Sequence, residues 1–198
     1  MANNLLPPFD APTAVLWTRD DCARLEELGF LDYHYELVRG VIVKLGQNTP
    51  HANVVRRVIL WLISVFGGEY FLSQTTINVL PEDNLTNAPQ PDVILLSRSA
   101  DSVSENPTPQ DIRLLIEVAD TTMRYDLTTK ATLYARAGIE EYWVLSLPER
   151  RLYIHRDPRD GTYRIVTVLG EREQAAPLAA LASPVAVSDL LPPAGSQS

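Results

Sequence analysis

The sequence predicts an α/β or α+β fold in which a mixed central sheet is flanked by helices. Apolar strands and amphipathic helices alternate through the middle of the chain, and strands cluster towards its end. No internal repeat or low-complexity linker divides the chain, and 198 residues suit one domain with a real core. We therefore predict a single domain over residues 18–190, between a loose N-terminal arm (1–17) and a C-terminal tail (191–198).

The first elements are a helix and a hairpin. Thr18 can cap a helix over TRDDCARLEELG, acids crowd its first turn, and Gly29 ends it. The stretch YHYELVRGVIVKLG then predicts a hairpin that turns at Arg39 and Gly40.

A longer helix is predicted by HANVVRRVILWLISVFGG, which follows a proline and ends at two glycines. Its apolar face carries Val54, Val58, Trp61, Leu62 and Val65. Two strands are expected after it, near residues 70–80 and 91–96, followed by the polar surface loop SRSADSVSENPTPQD.

The second half predicts a buried strand, IRLLIEVA, and a helix, YDLTTKATLYARAG, that ends at Gly138. EYWVLSL and RLYIHRD then form strands across a turn at Pro148 and Glu149, and TYRIVTVL adds another strand. SPVAVSDLL predicts a last short strand and turn.

Bulk composition excludes several classes of protein. No apolar run reaches the roughly 20 residues that a membrane-spanning helix needs. The N-terminus lacks the pattern of a signal peptide, and a single cysteine, Cys22, fits a reducing compartment. We therefore expect a soluble cytoplasmic protein without a membrane partner. The net charge of −8 argues against non-specific nucleic-acid binding over the whole surface.

Two strands that otherwise consist of buried-type residues each contain one carboxylate. Asp92 lies in PQPDVILL and Glu117 in LLIEVAD. A lone ionised carboxylate costs several kcal/mol to bury unless it is paired or bound to a cation. For Asp92, just after a proline, a merely polar strand start is an equally good interpretation. Apolar residues surround Glu117 on both sides, which makes that interpretation weaker there.

Two acids on neighbouring strands would repel each other strongly in a dry interior, and a divalent metal that binds both would remove the repulsion. Hard oxygen ligands favour Mg²⁺ or Mn²⁺ over Zn²⁺. His34, His51, His155 and Cys22 form no cluster at zinc spacing.

Lys130 is the next candidate. Strand alternation places Glu117 and Ala119 on one face, and the small Ala119 leaves space beside Glu117 for a side chain from the following helix. Lys130 and Tyr134 share a helix face, with Asp126 one turn earlier. When the helix is considered without other evidence, an exposed Asp126–Lys130 ion pair of about 0.3–0.5 kcal/mol is the favoured alternative.

Together, PD at 91–92, EVA at 117–119 and Lys130 resemble the PD-(D/E)XK nuclease superfamily. More closely, residues 18–190 resemble the Uma-type family of restriction endonucleases. The similar segments are YELVRG, TPHANVV, SQTTINVLPEDNLTNAPQPDVILL, LLIEVADTTMRYDLTTKATLYARAGIEEYWVL and RLYIHRDP. The resemblance implies a restriction-endonuclease-like sheet and a metal-dependent enzyme that hydrolyses phosphodiester bonds in DNA.

Residue by residue, the resemblance implies that Asp92 and Glu117 hold Mg²⁺ or Mn²⁺ with the carbonyl of Val118. Glu36 supplies a third carboxylate, directly or through water. Lys130 orients or activates the attacking water, or stabilises charge on the scissile phosphate.

Supporting roles are open for His51 and Gln74. Each could hydrogen-bond the site or a phosphate, although a solvent-facing histidine and a surface glutamine explain them equally or better. The hairpin segment 147–164 has a local charge of +2 and could grip phosphates, although an ordinary solvated hairpin is the favoured interpretation. Its arginines are Arg150, Arg151, Arg156, Arg159 and Arg164.

Three features depart from the family pattern. Ala119 stands where the superfamily usually has its lysine, Ser146 stands where relatives usually have an aspartate, and the chain is acidic for a DNA enzyme. A catalytically inactive relative that binds nucleic acid or a protein partner is therefore the alternative function. Exposed sheet edges and an aromatic hairpin suggest a homodimer, which would suit cleavage of duplex DNA.

Overall fold

The computed structural model describes residues 15–46 and 48–193. The strands in these ranges are β1 (Tyr35–Val38), β2 (Val41–Lys44), β3 (Phe71–Leu72), β4 (Val93–Leu96), β5 (Ile112–Ala119), β6 (Glu141–Ser146), β7 (Arg151–Arg159), β8 (Thr162–Gly170), β9 (Gln174–Ala175) and β10 (Val185–Ala186). The helices are α1 (Arg19–Glu27), α2 (Thr49–Phe66), α3 (Met123–Tyr125), α4 (Ala131–Arg136) and α5 (Val187–Leu190), and a π-helical turn (Asp126–Lys130) joins α3 to α4. Short 3₁₀ turns lie at Gly68–Tyr70, Asn84–Thr86, Ala100–Ser102, Pro109–Asp111 and Leu178–Ala180.

Local sequence signals explain the first elements. The Thr18 side chain accepts the Asp21 N–H, and the Asp21 carboxylate accepts the Thr18 N–H, which completes a capping box at the start of α1. Arg39 and Gly40 have φ values of 52° and 73°, the left-handed pair that a two-residue hairpin turn requires. The predicted first helix and hairpin are confirmed.

A six-stranded mixed sheet forms the centre of the molecule, in the order β3-β4-β5-β6-β7-β8. β5 and β6 are parallel, and the other neighbours are antiparallel. In the β4–β5 ladder Val93 lies opposite Ile116, so the two acids that adjoin this pair, Asp92 and Glu117, lie at the same end of the sheet. The predicted mixed sheet flanked by helices is confirmed.

Helices cover both faces of this sheet. α2 and α5 pack on one face, where Val54, Val58 and Leu62 are fully buried and Trp61 stacks on Trp143 at 5.8 Å. The π-helical turn and α4 pack on the other face. None of the helices in the described ranges is long and apolar enough to cross a membrane.

Hydrogen bonds dock the β1–β2 hairpin onto the segment that precedes β4. Asn87 accepts the Arg39 N–H through Oδ1 at 2.7 Å, and its carbonyl accepts Arg19 Nε at 2.6 Å. The Gln90 N–H donates to Glu36 Oε2 at 3.2 Å. This docking buries Glu36, which is 1% exposed, against the end of the sheet that contains Asp92.

The predicted strand at 70–80 is largely wrong, because the strand is confined to Phe71–Leu72. Gln74 adopts a left-handed conformation with φ of 52°, which breaks the extended path. After Gln74 the chain runs beside the segment that precedes β4 and is joined to it by isolated backbone hydrogen bonds. The Gln74 N–H donates to the Pro91 carbonyl, and the Ile77 N–H donates to the Pro89 carbonyl.

The two ends of the predicted domain contact its body. Residues 1–14 of the predicted arm and 194–198 of the predicted tail lie outside the described residues. The Trp17 N–H donates to the Gly40 carbonyl at 2.9 Å. Leu191 is 1% exposed in the core, and the Pro192 carbonyl accepts Arg150 Nη2 at 3.0 Å. Trp17, Leu191 and Pro192, which flank the predicted range 18–190, therefore contact the body of the domain.

Candidate functional site

A cleft of about 350 Å³ opens between the β1–β2 hairpin, the start of α2, the ends of β4 and β5, and the π-helical turn. It brings together eight of the predicted site residues, and the ninth, Tyr134, lies behind them and contacts Glu117. The lining residues are His34, Glu36, Val43, Lys44, Leu45, Gly46, Asn48, His51, Gln74, Gln90, Asp92, Glu117, Val118, Asp120, Thr121, Thr122, Tyr125, Asp126 and Lys130.

Asp92 is held rigidly at the head of β4. Its Oδ2 accepts the Val118 N–H at 2.8 Å and lies 3.1 Å from His51 Nε2. The carbonyl of Asp92 accepts the Ser73 hydroxyl at 2.7 Å. These contacts fix the carboxylate next to the strand that carries Glu117.

Lys130 joins the two glutamates. Its Nζ lies 2.8 Å from Glu117 Oε1 and 3.0 Å from Glu36 Oε2, and all three side chains are at least 95% buried. The Tyr134 hydroxyl also donates to Glu117 Oε1, at 3.1 Å. A lysine from the following helical segment therefore lies beside Glu117.

The π-helical turn places both of its charged residues inside. Asp126 and Lys130 are each 3% exposed, and Asp126 Oδ1 lies 3.9 Å from Lys130 Nζ. Asp126 Oδ2 accepts the Thr122 hydroxyl at 2.6 Å. The alternative of an exposed Asp126–Lys130 ion pair is thus wrong, because this helix face packs over the sheet.

Burial and charge shift the proton affinities of this cluster. Burial raises the pKa of Glu117, Lys130 opposes that rise, and Asp92 adds to it. Burial raises the pKa of Asp126 to about 6, against the influence of Lys130. Burial would lower the pKa of Lys130, but the surrounding carboxylates, Glu117 first, hold its pKa well above its ordinary value. Lys130 is therefore a permanent cation within an acidic cluster.

His51 lies in the first turn of α2 and lines the cleft beside Asp92. Burial would lower the pKa of His51, but the hydrogen bond and charge of Asp92 raise it above its ordinary value. The Asn48 side chain caps this helix by accepting the His51 N–H at 2.9 Å and also donates to Asp120 Oδ2 at 2.8 Å. The helix start is thereby tied to the residue after β5, and the His51 side chain, which is 12% exposed, faces Asp92 rather than solvent.

The donor atoms of the cleft fit a hard cation in their chemistry. Glu36 Oε1 is buried and has no hydrogen-bond partner in the described chain, and Asp92 and Glu117 both line the cleft. Among the described residues, however, no three His, Cys, Asp or Glu side chains are already arranged as a metal site. The buried acids are instead paired with Lys130, His51 and a backbone N–H. Repulsion between them therefore does not by itself require a metal.

Among the cleft residues that sequence reasoning did not single out, Tyr125 and Asp120 matter most for its chemistry. The Tyr125 hydroxyl is buried without a hydrogen-bond partner among the described residues, and its ring lies 5.8 Å from Lys130 Nζ. Asp120 lines the cleft directly after β5. Asp120 was detectable as the polar residue at the end of a buried strand, whereas the position of Tyr125 follows from the π-helical turn.

Ser146, which stands where relatives usually have an aspartate, lies outside this cleft lining. It is fully buried beside Ala119 in the β5–β6 register. Its hydroxyl contacts Met123 Sδ at 3.4 Å and accepts the Glu149 N–H at 3.3 Å. Ser146 therefore supports the packing under α3 and the turn after β6.

The arginines of the late hairpin are mostly committed to carboxylates. Arg156 binds the buried Glu141, Arg150 binds Glu171, and the other two pairs lie on the exposed surface: Arg159–Asp157 and Arg164–Asp160. Because carboxylates already neutralise these arginines, the ion pairs favour an ordinary solvated hairpin over a patch that binds phosphates.

Chemically, the cleft can position an anion or a water molecule beside a buried ammonium while carboxylates present oxygen atoms to a cation. That combination suits hydrolysis of a charged ester, since it offers both a charge stabiliser and potential metal ligands.

Comparisons with known proteins identify the family. A crystal structure described as "a putative nuclease belonging to DUF820 from Anabaena variabilis ATCC 29413" superposes with a TM-score of 0.63 at 15% identity, covering 84% of this chain and 96% of that chain. This likeness shows a shared fold. No curated protein matches the chain. The sequence profile described as "Uma2: Putative restriction endonuclease" matches residues 21–187, which contain every residue of the cleft. The chain therefore belongs to the Uma2 family of nuclease-like proteins.

Proposed function

We propose that this protein is a metal-dependent endonuclease that hydrolyses phosphodiester bonds in DNA. The observation that carries the proposal is the position of Lys130, whose ammonium is held between Glu117 and Glu36 in a cleft that also contains Asp92. A buried lysine among carboxylates is costly to assemble, and such groups cluster at functional sites.

Asp92 and Glu117 are the residues proposed to hold Mg²⁺ or Mn²⁺, together with the Val118 carbonyl. Glu36 joins them directly or through water. When bound, such an ion lowers the pKa of a coordinated water molecule and neutralises charge on the phosphate.

Lys130 is proposed to orient the attacking water or to stabilise the charge that develops on the scissile phosphate. Its ammonium is fixed by two carboxylates at 2.8 and 3.0 Å, so it needs little reorganisation during the reaction. Tyr134 and Asp126 support this position, Tyr134 by donating to Glu117 and Asp126 by adding negative charge near the ammonium. His51 fixes Asp92, and Gln74 lines the same cleft.

The alternative is an inactive nuclease-fold protein that binds nucleic acid or a protein partner, and its nucleic-acid form is disfavoured by the charge of the cleft. Its lining contains two lysines, Lys44 and Lys130, against five acids: Glu36, Asp92, Glu117, Asp120 and Asp126. A polyanion would be repelled from this lining unless a cation were bound there. The same acids are useful to an enzyme that recruits a divalent ion.

Nicking of supercoiled plasmid tests the proposal, with Mn²⁺ or with EDTA, and with RNA as a second substrate. We expect Mn²⁺-dependent nicking that is abolished in Asp92→Asn and in Lys130→Met. Two variants outside the cleft serve as matched controls and should remain active. Asp101→Asn, at an exposed position, is the control for the loss of a carboxylate. Arg159→Met, whose side chain is 68% exposed, is the control for the loss of a cation. Equal activity in the wild type and in the two site variants would contradict the assignment, and cleavage of RNA alone would change the substrate.

A further inference from the structure

The edge strand β8 has the character of an interface. It lies at the end of the six-stranded sheet, and its backbone pairs with β7 on one side. In the described part of the chain, residues 163–169 form no backbone hydrogen bond outside that ladder. The opposite edge of the sheet is β3, which has two residues, Phe71–Leu72. The edge strand β3 is thus short, which is one of the ways in which sheets avoid pairing with other chains. The edge strand β8, in contrast, is nine residues long.

The side chains of β8 are apolar on both faces of the sheet. Ile165, Val166 and Val168 are 52%, 50% and 43% exposed. Successive residues of a strand point to opposite faces, so apolar surface borders the open edge above and below it. Such a strand readily adds another strand by main-chain pairing.

The centre of β8 lacks the charged and proline residues that normally prevent an open edge strand from pairing with another chain. The segment IVTVL at 165–169 contains no charged residue and no proline. Arg164 is the one charged residue of the strand, and Asp160 neutralises it at 2.9 Å. An uncharged, β-branched segment of this kind is an aggregation hazard unless a specific partner covers it.

We propose that β8 pairs antiparallel with β8 of a second copy of this chain, which joins the two sheets into one continuous sheet. A twofold antiparallel pairing uses the same strand of both copies and covers both open edges at once, so that growth stops at the dimer. The distribution of charge supports a second copy of this chain as the partner of β8. The chain carries a net charge of −8, yet β8 contains no acid, so this edge is a surface on which two copies meet without like-charge repulsion.

This inference is independent of the nuclease assignment, because β8 contributes no residue to the cleft lining. Sedimentation velocity on the full chain at micromolar concentration should give twice the 22.1 kDa of one chain. Val166→Lys places two ammonium groups at the pairing strands and should weaken the dimer at least about tenfold. Leu60→Lys, at a position on α2 that is 52% exposed, is the matched control and should leave the dimer intact.

Cysteine crosslinking identifies the strand directly. Cys22 is 3% exposed and is first replaced by serine, after which single cysteines are introduced at positions 165, 166 and 167. At least one of them should form an intermolecular disulfide under mild oxidation, whereas a cysteine at position 60 should not. A monomeric wild type, open-ended oligomers, or a dimer that resists Val166→Lys and yields no crosslink would each overturn the proposal. If Val166→Lys fails to fold, the crosslinking result decides.

Discussion

The Lys130 ammonium lies 2.8 Å from Glu117 Oε1, although the two residues come from different elements, the π-helical turn and β5. Ala119, two residues after Glu117, leaves the space, and the π-helical turn places Lys130 in it. The ammonium thereby also contacts Glu36 on the β1–β2 hairpin.

Replacing Lys130 by methionine keeps the length of the side chain and removes its charge. Glu117 and Glu36 would then remain buried without their cation, which typically costs about 3–5 kcal/mol. We expect the free energy of unfolding in urea to fall by that amount. Lys44→Met, which removes the other lysine of the chain at an exposed position, should change it by less than about 0.5 kcal/mol.

The double variant Lys130→Met/Glu117→Gln separates charge from packing. Because it removes one of the two unpaired acids, it should be more stable than Lys130→Met. A double variant that is as unstable as the sum of the two single variants would show that the ion pair contributes nothing.

Asp92→Asn tests the proposed metal site by binding rather than by activity. Mn²⁺ at about 100 times its dissociation constant should stabilise the wild type by about 2.7 kcal/mol, or roughly 5–10 °C in melting temperature. Asp92→Asn should lose this shift because an amide is a poor ligand for a hard cation. Asp101→Asn should keep it. An unchanged melting temperature of the wild type with Mn²⁺ would exclude the metal site.

His51 should matter through its effect on Asp92. His51→Ala leaves Asp92 Oδ2 with the Val118 N–H but without the imidazole at 3.1 Å. Removal of a residue that orients a metal ligand typically weakens metal binding about 10- to 100-fold, and isothermal titration with Mn²⁺ measures this. His51→Gln, whose amide can donate to Asp92, should retain more affinity than His51→Ala. Asn53→Ala, on the same helix at an exposed position, should retain all of it.

The sequence predicted the elements whose signals are local. β5 has the predicted bounds, because a run dominated by Ile, Leu and Val lies between a loop and a turn. Thr18 and Gly40 act as predicted, since capping and tight turns depend on neighbouring residues. For Lys130, alternation along β5 and the small Ala119 left room for an inward side chain, and it was the family resemblance that favoured this position over an exposed ion pair.

The remaining features depend on contacts that are distant in the sequence. The Asn87 side chain docks the hairpin that carries Glu36 by accepting the N–H of Arg39, 48 residues away, and no periodic pattern encodes such a pair. Gln74 interrupts the strand predicted at 70–80 by adopting a left-handed backbone conformation, which its residue type does not predict. The burial of Glu117 indicates that its carboxylate needs a cation but does not identify the cation. In the structure the ammonium of Lys130 pairs with it.

His155 should make the protein sensitive to acid. It is 5% exposed between Tyr142 and Tyr163, and burial lowers its pKa below the ordinary 6.5, although backbone hydrogen bonds with Tyr142 and Tyr153 partly oppose this. The unfolded chain therefore takes up a proton at a higher pH than the folded chain does. Stability should be full above pH 6.5 and should fall as the pH drops below it, by up to about 1.4 kcal/mol per pH unit from this group.

His155→Phe removes the titrating group and keeps an aromatic ring against the two tyrosines. The free energy of unfolding of this variant should decline less steeply below pH 6.5 than that of the wild type. His34→Phe, at an exposed position, should retain the wild-type slope. Identical slopes in the wild type and His155→Phe would assign the acid sensitivity to other groups.

Arg156 should prove structural rather than substrate-binding. Glu141 is fully buried, and its Oε1 accepts Arg156 Nε at 2.8 Å and the Trp143 indole N–H at 2.9 Å, while its Oε2 accepts the Leu178 N–H at 2.7 Å. Arg156→Met would leave this carboxylate without its cation, so we expect a loss of about 3–5 kcal/mol in urea denaturation.

Arg159→Met is the matched control on the same strand. Arg159 pairs with Asp157 at the surface with 68% of its side chain exposed, so its replacement should cost at most about 1 kcal/mol. If Arg156 instead gripped a phosphate, Arg156→Met would weaken DNA binding in a filter assay without lowering stability. The burial of Glu141 predicts the opposite pattern: lower stability, and DNA affinity per folded molecule equal to that of the wild type.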